Sequence, residues 1–137
     1  MSTRRLVHVD DNPDEAFLFE RALFRSGVRG WEYQHLIGAP EATEYLSRAK
    51  ELGTLPDLLV LDVRMPGMCG LALLEWVVEH CPEVPTVMLS SSELLEDRLR
   101  ARDLGSIGYF VKTPKHEELM TLIRDWQGVA LAPVAKC

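Results

Sequence analysis

The feature that most constrains this chain is a run of four apolar residues, Leu58 to Leu61, set in the segment PDLLVLD. A run this short, without polar alternation, suits a strand covered on both faces, which is the situation of a central strand in a parallel sheet flanked by helices. Similar short apolar runs recur along the sequence, each followed by an amphipathic segment, and this alternation is the pattern of repeated βα units.

Five units can be read. The first strand is predicted over Arg5 to Val9, and after Asp-Asp-Asn-Pro a helix from about Asp14 to Ser26, with Phe17, Leu18, Ala22 and the nearby Phe24 as its apolar side and Gly27 as its cap. Trp31 to Ile37 is the second strand, and Pro40 opens a helix carrying Ala42, Tyr45, Leu46 and Ala49 that ends at Gly53. Leu58 to Leu61 is the third strand. A Met-Pro-Gly-Met-Cys-Gly loop then leads to a helix over Leu71 to His80. Pro82 and Pro85 separate that helix from the strand Thr86 to Leu89. Glu93 to Leu104, closed by Gly105, is the fourth helix, Gly108 to Val111 the fifth strand, and Glu117 to Gln127 the last helix.

The size of the chain, 137 residues, suits one domain with a core of its own, and the tail after Gly128 is too short for a second. No apolar run approaches the roughly 18 residues of a membrane span. The opening MSTRRLVHVDD passes from basic residues directly into an acidic pair, without a signal peptide's apolar stretch, which points to a cytoplasmic protein without membrane insertion. Cys69, Cys81 and Cys137 are odd in number and without CxxC spacing, so free thiols are expected. A net charge of −6 argues against direct nucleic-acid binding, which draws its affinity from Lys and Arg on phosphates.

The residues that carry chemistry are far apart in sequence. Asp10 and Asp11, Asp62, Ser90 and Lys112 all fall at the C-terminal ends of predicted strands, and in an open α/β sheet those ends converge on one crevice. Three carboxylates crowded there call for a cation. Hard oxygen donors in small number suit Mg²⁺, which keeps several waters and bridges to phosphate oxygens. A lysine and a hydroxyl complete a phosphoryl-binding site, and the chemistry allowed is attack by a carboxylate on phosphorus to give an aspartyl-phosphate. Asp62, ending the most apolar strand, is the expected nucleophile.

On these residues the sequence resembles the receiver domains of two-component response regulators, from Leu6 to Trp126. VHVDDNPDE is similar to the family's first-strand acidic pair, PDLLVLDVRMPGMCG to its phosphoacceptor strand and loop, TVMLSS to its fourth strand, and GSIGYFVK to its switch aromatic and lysine. The resemblance implies a flavodoxin-like fold, a five-stranded parallel sheet of order 2-1-3-4-5 with five helices on two faces. It implies Mg²⁺ held by Asp11, Asp62 and the backbone carbonyl of Arg64, with Asp10 acting through water. It places Ser90 and Lys112 on the phosphoryl group and makes Tyr109 the switch aromatic.

The partners implied are a sensor histidine kinase or phosphotransfer protein upstream and a protein partner downstream. The surface of the fourth helix, fifth strand and fifth helix is the expected output face and a candidate for homodimerisation. The opening motif, the SSSE segment and the lack of an effector domain look most like single-domain regulators paired with bacteriophytochrome-type kinases. Three departures from the pattern stand out. Cys69 and Arg64 are unusual at their positions, and Thr113 replaces a proline whose bond to the lysine is commonly cis. A cis bond before a non-proline residue costs about 2.5–4 kcal/mol, so Lys112-Thr113 is expected to be trans, with Thr113 and Pro114 able to start the fifth helix early.

Plainer readings compete. Asp10 and Asp11 alone could open a capped turn. His8, His35, His80 and His116 lack ligand spacing and read as structural or surface residues, although His8 is odd within a strand. A haloacid dehalogenase-type phosphatase would need Asp-x-Asp, where this chain has Asp62-Val63-Arg64. A receiver acting only as a binding module is opposed by its full set of acidic, hydroxyl and lysine residues. A dinucleotide site would need GxGxxG where the first loop here is Asp-Asp-Asn-Pro.

Overall fold

The computed structural model describes residues 4–25, 30–63, 65, 69–90 and 95–112. Nine elements alternate along them: β1 (Arg4–Val9), α1 (Pro13–Arg25), β2 (Trp31–Leu36), α2 (Ala39–Leu52), β3 (Leu58–Asp62), α3 (Gly70–His80), β4 (Thr86–Ser90), α4 (Leu95–Leu104) and β5 (Gly108–Val111). The strands form one sheet in the order β2-β1-β3-β4-β5, and every neighbouring pair is parallel. This is the flavodoxin-like arrangement, with four helices among the described residues. The fifth helix expected over Glu117 to Gln127, the Gly27 cap, Arg64, Thr113 and Pro114 lie outside the described residues.

Burial explains why the central strands lack polar alternation. Every residue of β3 and β4 is buried, because both faces of these strands carry helices. Side chains alternate between the faces. Val7, Val9, Leu59, Leu61 and Met88 pack with Leu46 of α2, Leu73, Leu74 and Val77 of α3 and Ala101 of α4. Leu6, Leu58, Val60, Val87 and Leu89 pack on the other face with Phe19 and Leu23 of α1.

That packing corrects the expected apolar side of the first helix. Phe17, Leu18 and Phe24 are exposed, and α1 turns Ala16, Phe19 and Leu23 to the sheet. Spacings of three and four define more than one apolar stripe on a helix this rich in Phe and Leu, and the seating of α1 on β1 and β3 selects one. The helix also starts a residue earlier than expected, because Pro13 suits the first turn and the Asn12 side chain accepts hydrogen bonds from the backbone N–H groups of Asp14 (2.9 Å) and Glu15 (3.4 Å).

For α2 the expected stripe of Ala42, Leu46 and Ala49 is buried, joined by Ala39, and Tyr45 packs at its edge. Gly53 ends the helix with φ of 72°, donating its N–H to the Lys50 carbonyl. Cys69 and Cys81 are free thiols. No helix among the described residues is long and apolar enough to cross a membrane.

Candidate functional site

Asp62 closes β3 and Ser90 closes β4, whereas Asp10 and Lys112 stand one residue beyond β1 and β5. Backbone hydrogen bonds carry the sheet past these positions. The N–H of Asp10 donates to Leu36 O (3.0 Å), that of Val63 to Leu89 O (3.2 Å) and that of Lys112 to Ser90 O (2.7 Å). Side chains about a hundred residues apart are thereby set at one edge on a rigid frame, as the ends of parallel strands require.

Asp10, Asp11 and Asp62 each offer a carboxylate oxygen, and these oxygens lie within 4.8 Å of one another. Asp10 and Asp62 are buried and Asp11 is exposed, so the cluster opens to solvent on one side. Lys112 reaches in with its ammonium 3.0 Å from Asp10 Oδ2 and 3.4 Å from Asp62 Oδ2. It points at Asp62 as the sequence suggested, but its hydrogen bond is to Asp10. Burial alone would lower the Lys112 pKa. The hydrogen bond to Asp10 and the charges of Asp62, Asp10 and Glu15 outweigh it and hold the ammonium above its ordinary range. Among the described residues Lys112 brings one positive charge to three carboxylates, and such a cluster of hard oxygen donors suits a divalent cation. The cluster is able to hold a metal.

The approach of α3 sets the back wall. Gly70 donates its N–H to Val63 O at 2.6 Å, and a Cβ on Gly70 would lie 1.9 Å from the Asp62 carbonyl oxygen and 2.9 Å from Val63 Cα. Only a residue without a side chain admits this contact between the helix start and the end of β3. Sequence reading placed Gly70 in a loop. Its role depends on the distance between two backbones, which no local pattern encodes.

Two histidines also converge on Asp10, which their spacing did not foretell. His35 Nε2 lies 2.7 Å from the Asp10 carbonyl oxygen. His8 is wholly buried, with Nε2 at 3.6 Å from Asp10 Oδ2 and Nδ1 at 2.7 Å from the Tyr33 hydroxyl. Burial pushes the His8 pKa down to about 3; Asp10 opposes the shift, while His35 and Lys112 add to it. His8 is therefore a neutral imidazole at neutral pH. The signal available in the sequence was a polar residue between Val7 and Val9 in a strand otherwise apolar from Leu6 onward.

Tyr109 lies in β5, half-buried against the core, with the Arg98 guanidinium 5.1 Å from its ring centroid. Ser90, buried at the end of β4, pairs in register with Val111 beside Lys112.

Fold and site together define a doubly wound α/β domain with an acidic site joined by a lysine at its strand ends. The sequence pattern of the response regulator receiver domain matches residues 6–124, and the chain belongs to that family. It is 32% identical over 124 residues to the transcriptional regulatory protein PrrA of Mycobacterium leprae, an alignment covering 90% of this chain and 50% of PrrA. Across the curated regulators it matches, the chain spans between about a quarter and a half of their length. Among solved structures, the bacteriophytochrome response regulator AtBRR is similar at 29% identity and a TM-score of 0.77, covering 92% of this chain and 94% of that one. The phosphorylated cyanobacterial phytochrome response regulator RcpA is similar at 25% identity and 0.77, covering 94% and 97%.

Proposed function

We propose that this receiver accepts a phosphoryl group on Asp62 from a sensor histidine kinase or phosphotransfer protein, with Mg²⁺, and signals by a phosphorylation-dependent change in protein binding. The observation that carries this reading is the convergence of the Asp10, Asp11 and Asp62 carboxylates with the Lys112 ammonium. Asp11 and Asp62 would hold Mg²⁺ with the carbonyl of Arg64, and Asp10 would help through water. The ion, when bound, supplies positive charge to the oxygens of the transferred group.

The chain's own residues do the rest. A carboxylate oxygen of Asp62 forms the new O–P bond in line with the donor's breaking bond, and the donor departs with the bonding pair. Lys112 shifts its ammonium from Asp10 to the transferred oxygens, and the Ser90 hydroxyl donates to another. The buried position of Asp62 restricts water and slows loss of the phosphoryl group. The domain thus acts as a phosphoacceptor that catalyses only its own modification.

Ser90 would sense the phosphoryl group, and Tyr109, as the switch aromatic, would report it on the face of α4 and β5. A groove of about 300 Å³ lies there, lined by Leu95, Arg98, Leu99, Arg102, Ile107 and Tyr109. Leu95 and Leu99 are exposed, as expected of a face awaiting a partner. Similarity to AtBRR and RcpA favours a phytochrome-type kinase as the donor.

Incubation with acetyl phosphate, with and without Mg²⁺, followed by intact-mass measurement tests the assignment. Wild-type protein should gain one phosphoryl group only with Mg²⁺, and Asp62→Asn none. Undiminished Mg²⁺-dependent labelling of Asp62→Asn would refute it.

A further inference from the structure

Asp10 is fully buried, and among the described residues each of its carboxylate oxygens has one donor. Oδ1 accepts the Asn12 N–H at 2.9 Å and Oδ2 accepts Lys112 at 3.0 Å. On the proposed function, phosphorylation would draw Lys112 toward the new group on Asp62. Oδ2 would then lose its direct protein donor, leaving only the Mg²⁺-bound water proposed for Asp10, a poor arrangement for a buried anionic oxygen. The replacement nearest to hand is His8 Nε2, 3.6 Å from the same oxygen, wholly buried and without a hydrogen-bond partner of its own.

Whether Nε2 can donate depends on the tautomer, and Tyr33 decides it. The Tyr33 hydroxyl lies 2.7 Å from His8 Nδ1 and 3.1 Å from the Ala16 carbonyl oxygen, and it has one proton to give. If the proton goes to Ala16, Nδ1–H must donate to the hydroxyl oxygen, and a bare Nε2 lone pair then faces a carboxylate in a buried space. If it goes to Nδ1, the ring proton sits on Nε2 and points at Asp10. Ala16 lies inside α1, where its carbonyl is already served by the helix ladder, so it loses little. Both arrangements keep the 2.7 Å contact between Nδ1 and the hydroxyl; they differ in the 3.1 Å bond to Ala16 and in what Nε2 presents to Asp10. Phe19, with its ring centroid 4.7 Å from that of His8, packs against the imidazole.

Building on the proposed phosphoacceptor function, we infer that His8 is a positioning residue of the acidic site: its Nε2–H, aimed by Tyr33, takes over Asp10 Oδ2 when Lys112 turns to the phosphoryl group and keeps Asp10 oriented toward the metal. Closing from 3.6 Å to a normal hydrogen bond needs a shift of under about 1 Å. Before phosphorylation Lys112 serves Oδ2 and His8 stands by. The contribution of His8 is therefore specific to one state of the protein, which a purely structural core residue would not show.

The test uses the full chain with Mg²⁺ alone and with Mg²⁺ plus beryllofluoride, a phosphoryl analogue. Side-chain ¹H–¹⁵N spectra of histidine-labelled wild type should show His8 as the neutral Nε2–H tautomer, with that proton moving downfield when the analogue binds. By calorimetry, His8→Leu should bind Mg²⁺ about as well as wild type without the analogue and at least tenfold more weakly with it, as for other outer-sphere partners of metal ligands. His8→Gln, which can place an amide N–H near the Nε2 position, should recover most of the loss.

An Nδ1–H tautomer in wild type, or a His8→Leu affinity that is unchanged or falls equally in both conditions, would overturn the inference. Should His8→Leu fail to fold, Tyr33→Phe keeps the imidazole but frees Nδ1. It should give mixed tautomers and the same analogue-specific weakening, and wild-type behaviour on both counts would overturn the inference. A wild type that binds no Mg²⁺ would instead refute the proposed function itself.

Discussion

Replacing Gly70 by Ala tests how Asp62 is positioned. The added Cβ would meet the Asp62 carbonyl oxygen at 1.9 Å and the Asp62 carbonyl carbon at 2.8 Å. Carbon and oxygen ordinarily approach no closer than about 3.3 Å, so the start of α3 and the end of β3 must part by about 1.4 Å. Both sides are backbone, and no rotamer can yield. Overpacking of this kind costs about 3 kcal/mol, and losing the 2.6 Å bond from Gly70 N–H to Val63 O adds about 1 kcal/mol. Alanine's better helix propensity returns up to about 1 kcal/mol, leaving a net loss of about 3 kcal/mol.

With a urea m-value of about 1.5 kcal/mol/M, the unfolding midpoint should fall by about 2 M. The folded variant should also label poorly, because a displacement of about 1 Å at a reacting centre is enough to cost about a hundredfold in rate. Urea unfolding and the initial rate of acetyl phosphate labelling measure the two effects separately. A variant within about 0.5 kcal/mol of wild-type stability and labelling at the wild-type rate would refute the close-approach argument.

Further outcomes follow from the charges. Lys112→Met removes the partner of a fully buried carboxylate and should destabilise the metal-free protein by about 3 kcal/mol, with a larger rise in Tm on adding Mg²⁺ than wild type shows; equal stability and an equal Mg²⁺ response would contradict the charge balance described for the site. His8 is a base whose folded pKa lies below its unfolded value, so the unfolded chain binds more protons and stability is lost as pH falls from about 6.5 toward 3. In the metal-free protein this amounts to about 1.4 kcal/mol per pH unit in the middle of that window, and urea curves of wild type and His8→Gln should diverge in slope there. Parallel curves would mean that His8 takes up its proton without unfolding.

Much of this protein was legible without coordinates. The apolar run of Leu58 to Leu61 read as a doubly covered strand, and the alternation of five strand segments with helical segments pointed to a parallel sheet whose C-terminal edge collects Asp10, Asp62, Ser90 and Lys112. These are consequences of side-chain period and chain direction, which are local. What the sequence left open depends on distance between elements. α1 could have presented Phe17 and Leu18 to the core, and only its seating on β1 and β3 chose Phe19 and Leu23. Gly70 was one glycine in a loop until α3 lay against the Asp62 carbonyl. Lys112 was expected at Asp62 and hydrogen-bonds Asp10, because three carboxylates compete for one ammonium and geometry at about 3 Å decides between them. His8 and Tyr33 are separated by 25 positions, and only the parallel pairing of β1 with β2 brings imidazole and phenol together beside the acidic cluster.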